Sequence, residues 1–226
     1  EQNAVFMDSR INKNKPSFPV IGSGKINLSR DVRDIEQKIY INFAKEVDSY
    51  ISSKFPELAS RVVSVSSDSM EKLLTVSEGY DSHSLLPRSF VYVFLTANAK
   101  DGSTVERYKV FGGYGYFDEL FSTPDTLYGD IDDLYRELME KAEGIYSEAG
   151  YKDVVMHPDL AGILAHEAVG HTVEADLVIG GSVAAHNLGK PVASEIVTLV
   201  DFAHTALGQP APLPIYVDDE GTPADD

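Results

Sequence analysis

The sequence contains no cysteine. Disulfides and thiolate metal ligands are therefore excluded within the chain, and the absence fits a reducing, cytoplasmic compartment. There is also no apolar run of the roughly 18 or more residues that a membrane-crossing helix needs, so no membrane partner is expected. Cations are scarce: 19 Lys and Arg stand against 36 Asp and Glu, a net charge of −17. A field of that sign argues against holding duplex nucleic acid or an anionic membrane by general electrostatics. An opening methionine is missing, and Glu1 is not followed by a charged-then-apolar leader. The other end, Asp225-Asp226, is polar and lies just after a Gly-Thr-Pro turn. Both ends read as cuts in a longer protein.

What is present is an ordinary globular composition, 43% hydrophobic and 24% charged over 226 residues, enough for one large or two modest domains. Residues 1–28 hold one candidate strand, Ala4 to Met7, in an otherwise irregular segment rich in Lys, Asn, Pro, Ser and Gly. From Arg30 to Phe55 the apolar residues Ile35, Ile39, Phe43, Val47, Tyr50 and Ile51 recur at helical spacing. Asp31 and Asp34 suit the first turn, where the helix dipole favours negative charge, and Pro56 follows the end. Strand candidates come next: Ser60–Ser66, Lys72–Ser77, Phe90–Ala97 and Thr104–Phe111, the last two joined by the hairpin signal Asp101-Gly102. Apolar residues on both faces of Phe90–Ala97 predict a strand covered on both sides. Together these give an antiparallel meander of about four strands with a long helix on one face.

Gly112-Gly113-Tyr114-Gly115-Tyr116 follows the last strand. It lacks the Lys-Ser/Thr and strand-to-helix context of a phosphate loop, so a chain reversal leaving the sheet is the preferred reading. A second amphipathic helix is expected over Asp130–Ala149, ended by Gly150, then a short buried strand at Lys152–Met156. Asp130, Asp132 and Asp133 read as favouring that helix's N-terminus. Pro158 sits where a helix begins. The fold class predicted is α+β, in three parts: an irregular segment over 1–28, an α+β domain over 29–150, and the beginning of a second, catalytic domain over 151–226.

The helix from Pro158 to about Asp176 carries His166-Glu167-Ala168-Val169-Gly170-His171. Leu160, Ala161, Ile163, Leu164, Ala165, Ala168 and Val169 surround its ionisable groups, so the helix is expected to be buried. Burying such groups is costly unless something compensates, and a metal ion would use all three. The related pattern H-E-x-x-H binds zinc through two histidines on one helix face, with the glutamate as general base. Here the histidines are five apart, roughly 140° around a regular helix, and cannot share an ion unless the helix is distorted. Gly170 permits unusual backbone angles, and a one-residue π-bulge would absorb the extra position. An irregular helix between Val169 and His171 is therefore predicted. His166 and His171 are the candidate ligands, zinc the default ion, and Glu167 the base that takes a proton from the water the ion activates and passes it to the leaving amine. A catalytic zinc takes three protein ligands and a water. The third ligand stays open, with Glu174 and Asp176 close by as ligands or as partners orienting a histidine. The competing reading is a structural helix whose histidines are merely hydrogen-bonded.

The hexapeptide, followed by Glu174-Ala175-Asp176, resembles the signature of the TldD/PmbA metallopeptidases, once called modulators of DNA gyrase. Pro191-Val192-Ala193-Ser194-Glu195 and Asp218-Asp219-Glu220-Gly221-Thr222-Pro223 resemble further segments of that family. The resemblance covers Lys152 to the end and extends back toward Arg30. It implies a zinc-dependent peptidase acting on short or unfolded peptides, with His166 and His171 as zinc ligands and Glu167 as catalytic base. It also implies a dimer, either with itself or with a related PmbA-like subunit that lacks the motif. The family's third ligand is a cysteine in its C-terminal part, and this sequence has none. The chain is thus expected to be an incomplete, inactive fragment that binds zinc weakly or not at all. The alternative function is a non-catalytic binding or scaffold subunit of a peptidase complex. A DNA-binding role rests on the old name alone, against the charge. Among the other candidates, His186 and His204 are read first as surface or loop histidines and His157 as helping its helix start, while Asp218, Asp219 and Glu220 read equally as a solvated turn or as a site for a cation or a peptide's basic group.

Overall fold

The structure, a computed structural model, describes residues 25–27, 33–76, 80–211, 213–218 and 223–224. The strand expected at Ala4–Met7, the Asp31 of the first helix and most of the Asp218–Pro223 loop lie outside the described residues. The chain divides into two compact units: Glu1–Ile145 with Phe202–Asp226, and Tyr146–Asp201.

The first unit is built on three long antiparallel strands, β2 (Ser60–Val76), β3 (Tyr80–Asn98) and β4 (Thr104–Tyr114), with β3 in the centre. A short strand, β1 (Lys25–Asn27), runs parallel to the beginning of β3, Lys25 opposite Asp81. The meander is as the sequence implies, with one difference. The two strands expected at Ser60–Ser66 and Lys72–Ser77 are a single strand, in unbroken register from Ser60 opposite Thr96 to Val76 opposite Tyr80. The polar stretch between them, Ser67-Asp68-Ser69, reads locally as a break. Across the ladder, however, Arg88 meets Asp68 with two hydrogen bonds of 2.6 and 2.8 Å, and Ser67 Oγ lies 2.9 Å from Ser89 Oγ. Cross-strand pairing thus overrides the local turn preference. The Asp101-Gly102 hairpin forms as expected: Gly102 has φ +85, and the Ser103 amide donates to Asp101 Oδ1 at 2.9 Å.

Two helices cover the sheet. Helix α1 (Gln37–Lys54) buries Phe43, Val47 and Ile51, a stripe at every fourth position. It begins later than the Arg30 expected, so Asp34 precedes it and its first turn carries no acid. Phe55 caps it through its amide to Ile51 O, just before Pro56. After β4 come α2 (Phe117–Leu120), a 3₁₀ turn at Pro124–Leu127, and α3 (Tyr128–Ala142). Helix α3 buries Ile131, Leu134, Leu138 and Ala142. It stops seven residues short of the expected Ala149, because the pattern runs out: Gly144 is a weak helix former and Ile145 is 94% exposed, so further turns would bury nothing.

The core lies between α1, α3 and one face of β3, where Val91, Val93, Leu95 and Ala97 are buried. No described helix of this unit covers the opposite face, which differs from the expectation of a doubly covered strand. Phe90, Tyr92 and Phe94 are only partly buried there, and Val62, Tyr108 and Val110 around them are exposed. The rings shield one another instead, Phe94 stacking on Tyr108 at 5.4 Å between centroids. The glycine run is corrected too. Gly112 and Gly113 are still within β4, opposite Phe90 and Ser89, and the chain does not leave the sheet there.

In the second unit, residues 151–157 form no strand, and Val155 is fully exposed rather than buried. A β-branched run needs a neighbouring strand, and no described strand pairs with it. No helix among the described residues is long and apolar enough to cross a membrane.

Candidate metal centre

Helix α4 (Pro158–Ala165) opens as the sequence implies: Pro158 sits in the first turn and His157 is the cap, its Nδ1 accepting from the Asp159 amide at 3.4 Å. The next five residues, His166–Gly170, form a π turn, followed by α5 (His171–Val173). The His171 amide bonds to His166 O, five residues back instead of four. One extra residue is thereby wound into the helix where the spacing predicts an irregularity. Histidines that diverge on a regular helix now meet edge to face, with ring centroids 4.4 Å apart and planes at 74°.

The turn leaves carbonyls with altered partners, and Thr172 takes them up: its Oγ1 donates to Val169 O at 3.0 Å and to Ala168 O at 3.2 Å. Sequence reasoning passed over Thr172. The available signal was a hydroxyl two residues past a glycine in an otherwise apolar helix. Gly170 is not used as expected. Its φ of −51 and ψ of −63 are ordinary right-handed helix, and a Cβ there would meet Ala165 O at 3.8 Å, a normal contact. The bulge does not depend on glycine's conformational freedom.

The helix does not run unbroken to Asp176. Glu174 has ψ 135, which ends α5, and α6 (Ala175–Ile179) restarts immediately. The Glu174 side chain folds back on the preceding turn, its Oε1 lying 2.6 Å from His171 Nδ1. Glu167 Oε2 lies 3.8 Å from His171 Nε2. The break is pinned by Val178 N to Glu174 O at 2.8 Å, and by Ser182 Oγ to Thr172 O at 2.6 Å.

His166, Glu167 and His171 thus each offer a donor atom, all within 4.8 Å of one another, and this is the group among the described residues that could hold a metal ion. Two imidazoles and a carboxylate are a donor set suited to zinc. All three are exposed, and no side chain from Pro158 to Val173 is buried; Ile163, for example, is 56% exposed. This corrects the expectation of a buried helix, and the argument from burial cost goes with it: convergence of the donors, not relief of desolvation, is what suits the site to an ion. His186 closes a 3₁₀ turn at Val183–His186 and does not join the group. His204, in the first unit, stacks on Tyr216 at 5.3 Å and meets Ala224 O at 3.2 Å. Asp176 lies in the first turn of α6 and is not among the converging donors.

Comparison with known proteins decides the lineage. Residues 30–146 match the family described as the PmbA/TldA metallopeptidase central domain, and residues 149–226 the C-terminal domain of the same metallopeptidases. The chain belongs to the PmbA/TldD metallopeptidase family. A metalloprotease of Methanothermobacter thermautotrophicus is 39% identical over 49% of this chain and 24% of its own length. A metalloprotease of Methanocaldococcus jannaschii is 31% identical over 80% of the chain and 38% of its own length. A zinc metalloprotease TldD homolog of Saccharolobus solfataricus is 26% identical over 97% of the chain and 47% of its own length. The chain spans less than half the length of these curated relatives. As a PmbA/TldD member it carries His166 and Glu167 in the π turn and His171 immediately after it.

Proposed function

We propose that the protein is a zinc-dependent peptidase of short or unfolded peptides, with His166 and His171 as zinc ligands and Glu167 as general base. The observation that carries this reading is the π turn, which brings the His166 and His171 rings together edge to face and sets Glu167 beside them. The name of the Saccharolobus relative, a zinc metalloprotease, supports the choice of ion. Bound there, zinc would polarise the scissile carbonyl and lower the pKa of water. The two imidazoles bind in their neutral form, each through one ring nitrogen. Glu167, adjacent to His166 in sequence and 3.8 Å from His171 Nε2, holds a carboxylate at the edge of the ligand pair. From there it accepts a proton from the attacking water and passes it to the departing amine.

Two imidazoles fall short of the three protein ligands usual for catalytic zinc. The 226-residue chain alone is accordingly proposed to bind zinc weakly and to be inactive. In the whole protein a third ligand, and a like or PmbA-like partner subunit, would complete the enzyme. The test is Glu167→Ala in the full-length protein. Peptide cleavage should fall by at least about 100-fold, the scale of a lost general base, while zinc content is retained; chelation of the metal should abolish cleavage in the wild type. Unchanged cleavage by the variant would sink the reading in favour of a non-catalytic scaffold. Stoichiometric zinc and cleavage by the 226-residue chain itself would overturn the proposal of an incomplete site.

A further inference from the structure

Glu174 lies outside the group of converging donors, yet makes one of the shortest polar contacts in its unit, 2.6 Å from Oε1 to His171 Nδ1. An ionised carboxylate only accepts hydrogen bonds, so the proton in this contact belongs to the imidazole. That fixes the neutral ring with its hydrogen on Nδ1 and its lone pair on Nε2, the nitrogen that faces Glu167. The backbone holds the carboxylate in place. Glu174 sits at the break between α5 and α6, where ψ 135 turns the chain, and bonds from Val178 to Glu174 O and from Ser182 to Thr172 O brace the corner. We infer that Glu174 is a positioning residue that orients His171 and selects the tautomer presenting Nε2 to the metal. This rests on the zinc reading given above. It also means that Glu174 is not the missing third ligand to an ion held by His171 Nε2, since its carboxylate sits at the other ring nitrogen, Nδ1.

The test uses the full-length protein in wild-type form and as Glu174→Ala, Glu174→Gln, Glu174→Lys, His166→Ala and His171→Ala. The first readout is the ¹⁵N signature of the His171 tautomer without metal; the second is zinc affinity by competition with a chromogenic chelator. The wild type should show hydrogen on Nδ1. Glu174→Gln keeps a carbonyl acceptor and should preserve that tautomer. Glu174→Ala should lose the preference and weaken zinc binding by about 10–100-fold, the usual effect of removing a group that orients a ligand. Glu174→Lys, which offers only donors at an exposed position, should drive the hydrogen to Nε2. Circular dichroism reports whether each variant folds, and the Gln and Lys variants carry the comparison where Ala does not. Zinc affinity that needs both histidines but ignores every change at Glu174, with the tautomer also unmoved, would overturn the role of Glu174 and leave the zinc site standing. Zinc affinity indifferent to His166→Ala and His171→Ala would overturn the zinc reading and this extension of it together.

Discussion

Two glycines show how differently one residue type is used in this chain. Gly112 has φ +108, and a Cβ there would fall 2.1 Å from Ser89 O, a backbone atom that cannot move aside without opening the ladder between β3 and β4. Gly170 has helical angles, and a methyl group there would meet Ala165 O and His166 Nδ1 only at ordinary contact distances of 3.8 and 4.0 Å. Gly112→Ala should therefore cost at least about 2 kcal/mol, from strain and collision together. Gly170→Ala should cost nothing, or stabilise by up to about 1 kcal/mol through helix propensity. Thermal denaturation followed by near-ultraviolet circular dichroism would check both. Equal effects at the two positions would refute the distinction. From sequence, both glycines are punctuation: Gly112 reads as a chain reversal and Gly170 as the residue that allows the bulge. Neither reading identifies the cause. A positive φ and a close approach depend on the strand opposite, and a run of glycines carries no record of Ser89.

The elements themselves follow the sequence where a single face decides them. The stripe Phe43, Val47, Ile51 gives α1, and the Asp101-Gly102 signal gives its hairpin. The five-residue separation of His166 and His171 gives the π turn, because only an extra residue in the turn brings them together. What fails is whatever depends on a neighbour: two strands that are one, and an apolar helix that is exposed. Apolar periodicity reports what an element could bury, not what covers it. The join between α1 and α3 is likewise tertiary. Tyr50 stacks on Tyr128 at 3.6 Å, and Asp132 accepts from Tyr50 at 2.7 Å and from Lys54 at 2.6 and 2.8 Å. Desolvation pushes the Asp132 carboxyl up, but the hydrogen bonds from Lys54 and Tyr50 outweigh it and hold the group below its usual range. The bond to Asp132 raises the Lys54 ammonium, helped by Tyr50. A depressed acid stabilises above its unfolded pKa, about 3.9, and loses that contribution as pH falls through the folded value. A raised amine stabilises below its unfolded pKa, about 10.4, and loses its contribution as pH rises through the folded value. Asp132→Asn should lower the melting temperature near neutral pH, with the gap to wild type closing in acid. A gap that stays constant into strong acid would show that the charge plays no part.

At the scale of the whole molecule the chain crosses between its two units twice, near Ile145 and again near Phe202. The first crossing is open along its whole length. Residues 143–157 carry no helix or strand and every one is exposed, with Tyr146 and Tyr151 almost fully in solvent. Such a segment can enter a protease cleft without disturbing a ladder or a core. The tyrosines of the first unit stand mostly in the sheet or against α1 and α3, where cleavage would require local unfolding. The return crossing adds a consequence for the products. Residues 202–226 are assigned to the same unit as the sheet, Ala211 and Val217 are buried, and Lys72 of β2 donates to Val217 O at 3.3 Å. A single cut after Tyr146 or Tyr151 would therefore leave the C-terminal piece attached to the sheet through the stretch around Val217. Brief chymotrypsin treatment should give two fragments under denaturing conditions, with new ends at Tyr146 or Tyr151 by mass spectrometry, that still elute as one species in native gel filtration. Fragments that separate without denaturant would show that 202–226 contributes no lasting hold on the sheet, and first cuts within β2–β4 would show that the strands, not the connector, open most readily.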